Sequence, residues 1–375
     1  MNDSFHTTLA RIDARDLLTR ATRTPWSTVQ ARIASGENLS LHEFATLIAD
    51  SDTTHLEELA LAARRIRAAR FGNAITLYAP LYLTNHCINT CPYCGFNAQN
   101  DMPRTLLTSE ELEAEAECLI AQGHRHLLLV AGETHDPDDM IARAASLAHA
   151  VKPRIAHLAV EMQPLDVEGY RTLVAAGVDG VTLYQETYQR DDYATHHRTG
   201  PKADFEKRLA AIEAAGEAGM RFLNIGALLG LAHASRDAVA LYAHAHYLAR
   251  RFWQSSIAVS LPRLKHVPSD FTIPHPVSDP EFVRLIVSLR IALPDMGLTL
   301  STREPALLRD HLLPLGITHM SAGSRTAPGG YTRLHEDGAQ FAVEDVRTPA
   351  EVAAALSRAG FDPVFKDWES GLHDR

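Results

Sequence analysis

An α/β chain built as a closed (β/α)8-type parallel barrel, with an N-terminal helical extension and a C-terminal extension, is the fold this sequence predicts, and three features predict it. From Ala74 onward, about eight short apolar runs alternate with amphipathic stretches of helical period. The alternation fills about 250 residues, the ordinary size of such a barrel. Polar residues also recur at the C-terminal ends of the apolar runs, which in a barrel all open onto one mouth. An open parallel sheet has the same alternation, but a strand count near eight favours closure.

The elements follow in order. Residues 1–72 read as helices, with a capping box from Ser40 to Glu43 and a Leu/Ala/Arg-rich helix from Thr54 to Arg70 that stops at Gly72. The expected strands are AITLYAPLYL, HLLLVAG, HLAVEMQP, GVTLYQET, RFLNIGALLG, SSIAVSLPRL, GLTLSTRE and THMSAG. Helices are expected at Ser109–Gln122, Asp138–Val151, Asp204–Ala218 and Asp279–Ala292 among others. The chain accordingly divides into a helical extension (1–72), a barrel (73–325) and a closing segment (326–375).

The bulk properties exclude several classes of function. At 375 residues the chain is long enough to bury a large core, and its net charge of −10 opposes binding to nucleic acid or an anionic membrane. No apolar run approaches the roughly 20 residues of a membrane helix, and the opening MNDSFHTTLARIDARD lacks a secretory signal's apolar core. A cytoplasmic setting is therefore expected. Four cysteines, three of them within Cys87–Cys94, make metal or redox chemistry a better reading than a disulfide framework.

Directly after the first barrel strand, Cys87, Cys91 and Cys94 form C-x3-C-x2-C. Three thiolates on one loop can ligate three irons of a [4Fe–4S] cluster and leave the fourth iron open. An amine and a carboxylate can chelate that iron, as S-adenosylmethionine does when one electron breaks its carbon–sulfur bond. Competing readings are a glutaredoxin-type pair at Cys91 and Cys94, which gives Cys87 no role, and a zinc-stabilised barrel without radical chemistry, with a histidine such as His86 completing the set. Cys118, on the apolar side of a predicted helix, reads as a buried free thiol.

Around the loop, Tyr93 is positioned to lie near the adenine. Gly132, Glu133 and Thr134 end the second strand, where glycine lets backbone approach the ligand's amine and Glu133 can accept from it. Glu161 and Glu186 end later strands and suit ribose hydroxyls or the α-amine, while Arg208 suits the methionyl carboxylate. Each also has an ordinary structural reading, as a cap or a salt bridge.

The cysteine spacing, with an aromatic residue before the third cysteine, is the signature of the radical S-adenosylmethionine superfamily. The segments CPYCGF, LLLVAGET, EMQPL, DGVTLYQETY, HHRTGPKADFEKR, IGALLGL, FWQSSIAVSLPRL, LSTREP, SAGSRTAPGGY and FKDWE resemble one branch of it, the tyrosine lyases of thiamine biosynthesis, from about Leu77 to Glu369. The resemblance implies cleavage of the Cα–Cβ bond of L-tyrosine to p-cresol and 2-iminoacetate, an external electron donor such as flavodoxin or ferredoxin, and a thiazole synthase as protein partner. An amino-acid carboxylate calls for a fork of N–H donors, which Arg325 is expected to supply, with Arg303 as the alternative and Ser321 and Ser324 beside it. Tryptophan lyases share much of this strand-end set, which leaves the ring of the substrate open. No cysteine follows Cys118, so the second cluster of the hydrogenase-maturation tyrosine lyase is not expected.

Overall fold

The computed structural model describes residues 4–265, 271–333 and 338–366. The last residues of the FKDWE segment, Asp367 to Glu369, lie outside that range. Five helices come first: α1 (Phe5–Ala10), α2 (Ala14–Ala21), α3 (Trp26–Ser35), α4 (Leu41–Ala49) and α5 (Thr53–Phe71). The alternation then runs β1 (Ala74–Thr84), α6 (Ser109–Ala121), β2 (His126–Ala131), α7 (Pro137–Val151), β3 (His157–Glu161), α8 (Val167–Ala175) and β4 (Gly180–Glu186). It continues through α9 (Arg190–His196), α10 (Phe205–Glu217), β5 (Phe222–Ala227), α11 (Ala234–Arg251), β6 (Ser256–Ser260) and α12 (Asp279–Ala292). β7 (Gly297–Leu300), α13 (Ala306–Leu312), β8 (His319–Ser321), α14 (Pro349–Arg358) and β9 (Asp362–Val364) complete it.

β1 through β8 form the predicted barrel. All neighbours pair in parallel, and closure comes from the length of β1, which sets Thr76–Tyr78 against β8 and Ala79–Thr84 against β2. β9 pairs with the start of β1, at Ala74–Thr76. At three residues it is too short to show a period in the sequence. No helix among the described residues is long and apolar enough to cross a membrane.

Each face of a strand serves a different layer. Leu77, Ala79, Leu81 and Leu83 of β1 are buried in the main apolar core, between strands and helices. The faces turned to the barrel axis carry Tyr78, Thr182, Tyr184, Asn224, Ser260 and Thr299, where aliphatic layers are usual. Three of these groups bond one another: Asn224 Nδ2 donates to Thr182 Oγ1 at 3.3 Å, and Ser260 Oγ to Asn224 Oδ1 at 3.1 Å.

The helical extension is part of the body rather than an appendage. Phe5 is fully buried and stacks on His244 of α11 at 3.9 Å, while its N–H donates to Glu213 Oε1 at 2.9 Å. Arg67 of α5, buried at the foot of the barrel, donates to the carbonyls of Gly72, Ala74 and Ile317 and so ties the extension to β1 and β8. The capping box at Ser40 and Glu43 is present.

Buried histidines make the fold sensitive to acid. Burial holds His157 and His244 down to a pKa of about 3, well below 6.5. Between those values the unfolded chain binds more protons than the native one, so stability is complete above pH 6.5 and falls as the pH drops below it. Denaturant midpoints measured from pH 7.5 to pH 5 are expected to decline, and His244→Phe is expected to flatten that slope.

Candidate active site

β1 ends at Thr84 and delivers the chain into the cysteine loop. Arg104 straps the loop's base, its Nη1 donating to the carbonyls of Asn85 (2.8 Å) and Phe96 (2.9 Å). Asn85 closes the return strand by donating to Pro103 O at 2.8 Å and accepting from Thr105 N at 2.7 Å. The end of β2 presses directly on the loop: a Cβ on Gly132 would lie 2.1 Å from His86 O. Gly132 is therefore required by contact between two backbones, where the sequence had suggested approach to a ligand's amine.

All three loop cysteines are free thiols. Burial, with the charges of Cys91 and Cys87 adding to it, pushes Cys94 up to about 12, and burial likewise raises Cys91. Such thiols give up their protons only to a bound metal. A single zinc needs four ligands within about 2.0–2.3 Å of one point. Among the described residues, no three His, Cys, Asp or Glu side chains converge that way. Three thiols on one loop are the number that a four-iron cluster with one open iron takes.

Next to the loop, at the mouth, lies a cavity of about 100 Å³. Of the residues expected at the site, Tyr93, Cys94, Glu161, Glu186, Arg303, Ser321 and Ser324 line it. Tyr93 is buried, and its hydroxyl donates to His197 Nε2 at 2.7 Å while His197 Nδ1 donates to Tyr193 O at 2.8 Å. Burial holds that imidazole near a pKa of about 3, so it stays a neutral acceptor.

Glu186 is the one non-glycine residue with positive φ, 71°, among those described, at an irregularity in the β4–β5 register. A conformation of this kind costs about 1–3 kcal/mol and persists where surrounding contacts enforce it. Here Lys202 Nζ at 2.6 Å and Arg208 Nη2 at 3.3 Å both meet Glu186 Oε1 and keep the carboxyl ionised. Arg208 also donates to Tyr184 O at 2.7 Å. Glu161 differs: burial and the nearby Glu186 charge raise it to about 7, with Arg303 pulling the other way.

Arg303 is half-buried at the mouth, its guanidinium 3.5 Å from the centre of the Phe341 ring. Among the described residues it makes no ion pair. Its sequence neighbour Glu304 is engaged by Arg263 and Lys265 instead. Ser324 Oγ, on the same wall, is buried without a hydrogen-bond partner, whereas Ser321 Oγ accepts from Thr302 N at 3.1 Å. A half-buried cation without an ion pair and a buried, orphaned hydroxyl on one cavity wall are groups prepared for an anionic ligand.

Other expected residues lie elsewhere. Arg325 is half-buried behind this wall, its N–H donating to Tyr331 Oη at 3.1 Å, and it does not line the cavity. Ser324, the residue before it, does line the cavity. Glu133 is buried and accepts from Asn89 Nδ2 at 2.6 Å. Thr134 is turned outward, with Oγ1 on Asp136 O at 3.1 Å. Cys118 is half-buried on α6, less enclosed than the sequence suggested.

Sequence reasoning passed over Asn89, His197 and Lys202. Asn89 Oδ1 accepts from Lys202 N at 2.9 Å, and its Nδ2 lies 3.7 Å from Cys87 Sγ, so this one amide links the cysteine loop, Glu133 and the Lys202 turn. The signal was present in HHRTGPKADFEKR, where a Gly-Pro turn carries a lysine ahead of Arg208.

The closing segment seals the mouth. Gln340 O accepts from Gly95 N at 2.9 Å, and Gln340 Oε1 accepts from Tyr82 Oη at 2.8 Å. A Cβ on Gly95 would stand 2.2 Å from Ala339 O. Gly95→Ala is therefore expected to lift this segment and to raise the KM for substrate severalfold, while iron and sulfide content stay unchanged.

The match to the Radical SAM superfamily model covers residues 81–242, and that to the Biotin and Thiamin Synthesis associated domain covers residues 260–362. The 2-iminoacetate synthases of Salmonella typhimurium and Escherichia coli are each 38% identical over 342 residues, spanning 91% of this chain and 90% of theirs. The X-ray structure of the FeFe-hydrogenase maturase HydG from Carboxydothermus hydrogenoformans superposes with a TM-score of 0.88 at 35% identity, covering 96% of this chain and 84% of that one.

Proposed function

Because the chain belongs to the 2-iminoacetate synthase family of the radical S-adenosylmethionine superfamily, we propose that Arg303 at its mouth receives the carboxylate of L-tyrosine. The protein is a lyase that uses a [4Fe–4S] cluster and S-adenosylmethionine to cleave the Cα–Cβ bond of tyrosine, giving p-cresol and the 2-iminoacetate that enters the thiazole of thiamine. When bound, the cluster and S-adenosylmethionine would supply the radical chemistry that opens the tyrosine Cα–Cβ bond, with electrons drawn from an external donor.

The protein's part is to hold, orient and exclude. Cys87, Cys91 and Cys94 hold the cluster. Lys202 and Arg208 share Glu186, which leaves that trio with net positive charge and suits the methionyl carboxylate; Tyr93, fixed by His197, suits the adenine. Glu133, braced by Asn89, and Glu161 are the acids offered to the amines and the ribose, with Gly132 and Thr134 fixing the end of β2. Ser324 joins Arg303 at the substrate carboxylate, and Ser321 holds the turn beside it. Phe341 and Gln340 cover the mouth and keep water from the radical. The observation that carries this reading is Arg303: a half-buried guanidinium with no ion pair among the described residues, in a cavity it shares with Cys94.

An external one-electron donor is required, and we infer that a thiazole synthase takes the imine directly, since the imine hydrolyses in water. The test is product analysis after anaerobic incubation with tyrosine and, separately, tryptophan. p-Cresol and glyoxylate, the hydrolysis product of the imine, are expected from tyrosine alone. Cleavage of tryptophan in its place would move the chain to the tryptophan lyases.

A further inference from the structure

At the opposite end of the barrel is a cavity of about 620 Å³ for which tyrosine cleavage has no use. It lies among the first residues of the strands, where His126 begins β2, His157 begins β3 and His319 begins β8. Phe222, the first residue of β5, stands between them, its ring centre 5.2 Å from that of His157 and 5.7 Å from that of His319. Trp253 lines the cavity as well and is 78% exposed. Toward the barrel interior the wall turns to hydroxyl and amide groups, Thr182, Asn224 and Thr299, and Thr299 Oγ1 is buried without a hydrogen-bond partner.

Charge separates this cavity from the mouth. Its only formally charged lining residue among those described is Asp295, which is paired with Arg70 at 3.3 Å. Burial keeps the three histidines neutral, at about 3 for His126 and His157 and about 4 for His319. A charged ligand would lose its hydration here and gain no counter-charge. An uncharged ring, by contrast, meets flat aromatic walls, and a single hydroxyl on it meets imidazole acceptors and the orphaned Thr299. The size falls within the range of small-molecule sites.

We propose that this cavity at the foot of the barrel is a binding site for a small uncharged aromatic alcohol of the phenol class, its ring against Phe222 and Trp253 and its hydroxyl on the imidazole and Thr299 side. Only the source of such a ligand rests on the function proposed above, since cleavage of tyrosine releases p-cresol. The site itself needs no turnover.

The test is calorimetry on the anaerobic holoenzyme without reductant, with the mouth saturated by tyrosine and S-adenosylmethionine, using p-cresol, toluene and 4-methylbenzoate as probes. p-Cresol is expected to bind under these conditions. Toluene should bind up to about tenfold more weakly, having lost one hydrogen bond, and the charged benzoate more weakly still. Trp253→Ala is expected to weaken p-cresol severalfold and Thr299→Val to erase the preference for p-cresol over toluene, both with tyrosine cleavage unchanged. The proposal is overturned if p-cresol fails to bind, if tyrosine displaces it, if the benzoate binds as tightly, or if both variants bind p-cresol like the parent. Should p-cresol bind as described while tyrosine is not cleaved, the site stands and the functional reading falls.

Discussion

Cys91→Ala is expected to yield a folded, colourless protein that holds little iron and forms no 5′-deoxyadenosine. Cys91 is the most enclosed of the three loop cysteines, at 5% exposure, and packs with Tyr93, Leu228, Leu231 and Leu264. Its loss opens little space, because a thiol and a methyl group differ by one atom and the surrounding strap from Arg104 is untouched. The fold should therefore survive. The cluster should not, since two thiolates on a loop cannot hold three corners of a cubane. Iron and sulfide analysis after anaerobic reconstitution checks this. A variant that keeps its cluster and its turnover would show that Cys91 is not a ligand.

Arg303→Ala is expected to separate the two halves of the reaction. The cluster and the cleavage of S-adenosylmethionine remain, because Lys202, Arg208 and Glu186 are untouched. Tyrosine binding weakens by about 2–5 kcal/mol, the range for removing one partner of a desolvated charge pair. 5′-Deoxyadenosine is then formed without matching p-cresol. Arg325→Ala, measured beside it, is expected to change tyrosine affinity little, because Arg325 lies outside the cavity. The reverse ranking would return the carboxylate to Arg325.

What could be read from the sequence followed its range of interaction. The cysteine loop stands out because three cysteines at fixed short spacings describe one local object, and the barrel was legible because a strand–helix period repeats eight times. The choice between Arg303 and Arg325 was not legible, since both follow strand ends and only the course of each turn decides which enters the mouth. Lys202 was missed for a related reason. It reaches Glu186 through a turn held by Asn89, 113 residues earlier in the chain, and no local pattern reports such a contact. Phe341 and Gln340 reach the mouth from beyond β8, in a stretch that the sequence marks only as a closing segment. Gly95 and Gly132 were visible as glycines beside a motif, but the backbones that forbid a Cβ at each come from distant residues.

The decisive measurement is the metal content of anaerobically purified protein together with its yield of 5′-deoxyadenosine on reduction in the presence of S-adenosylmethionine and tyrosine. About four iron and four sulfide per chain, with 5′-deoxyadenosine and p-cresol rising together, is the result expected of three cysteines holding a cluster at the barrel mouth. Colourless protein carrying one zinc and forming neither product would contradict it.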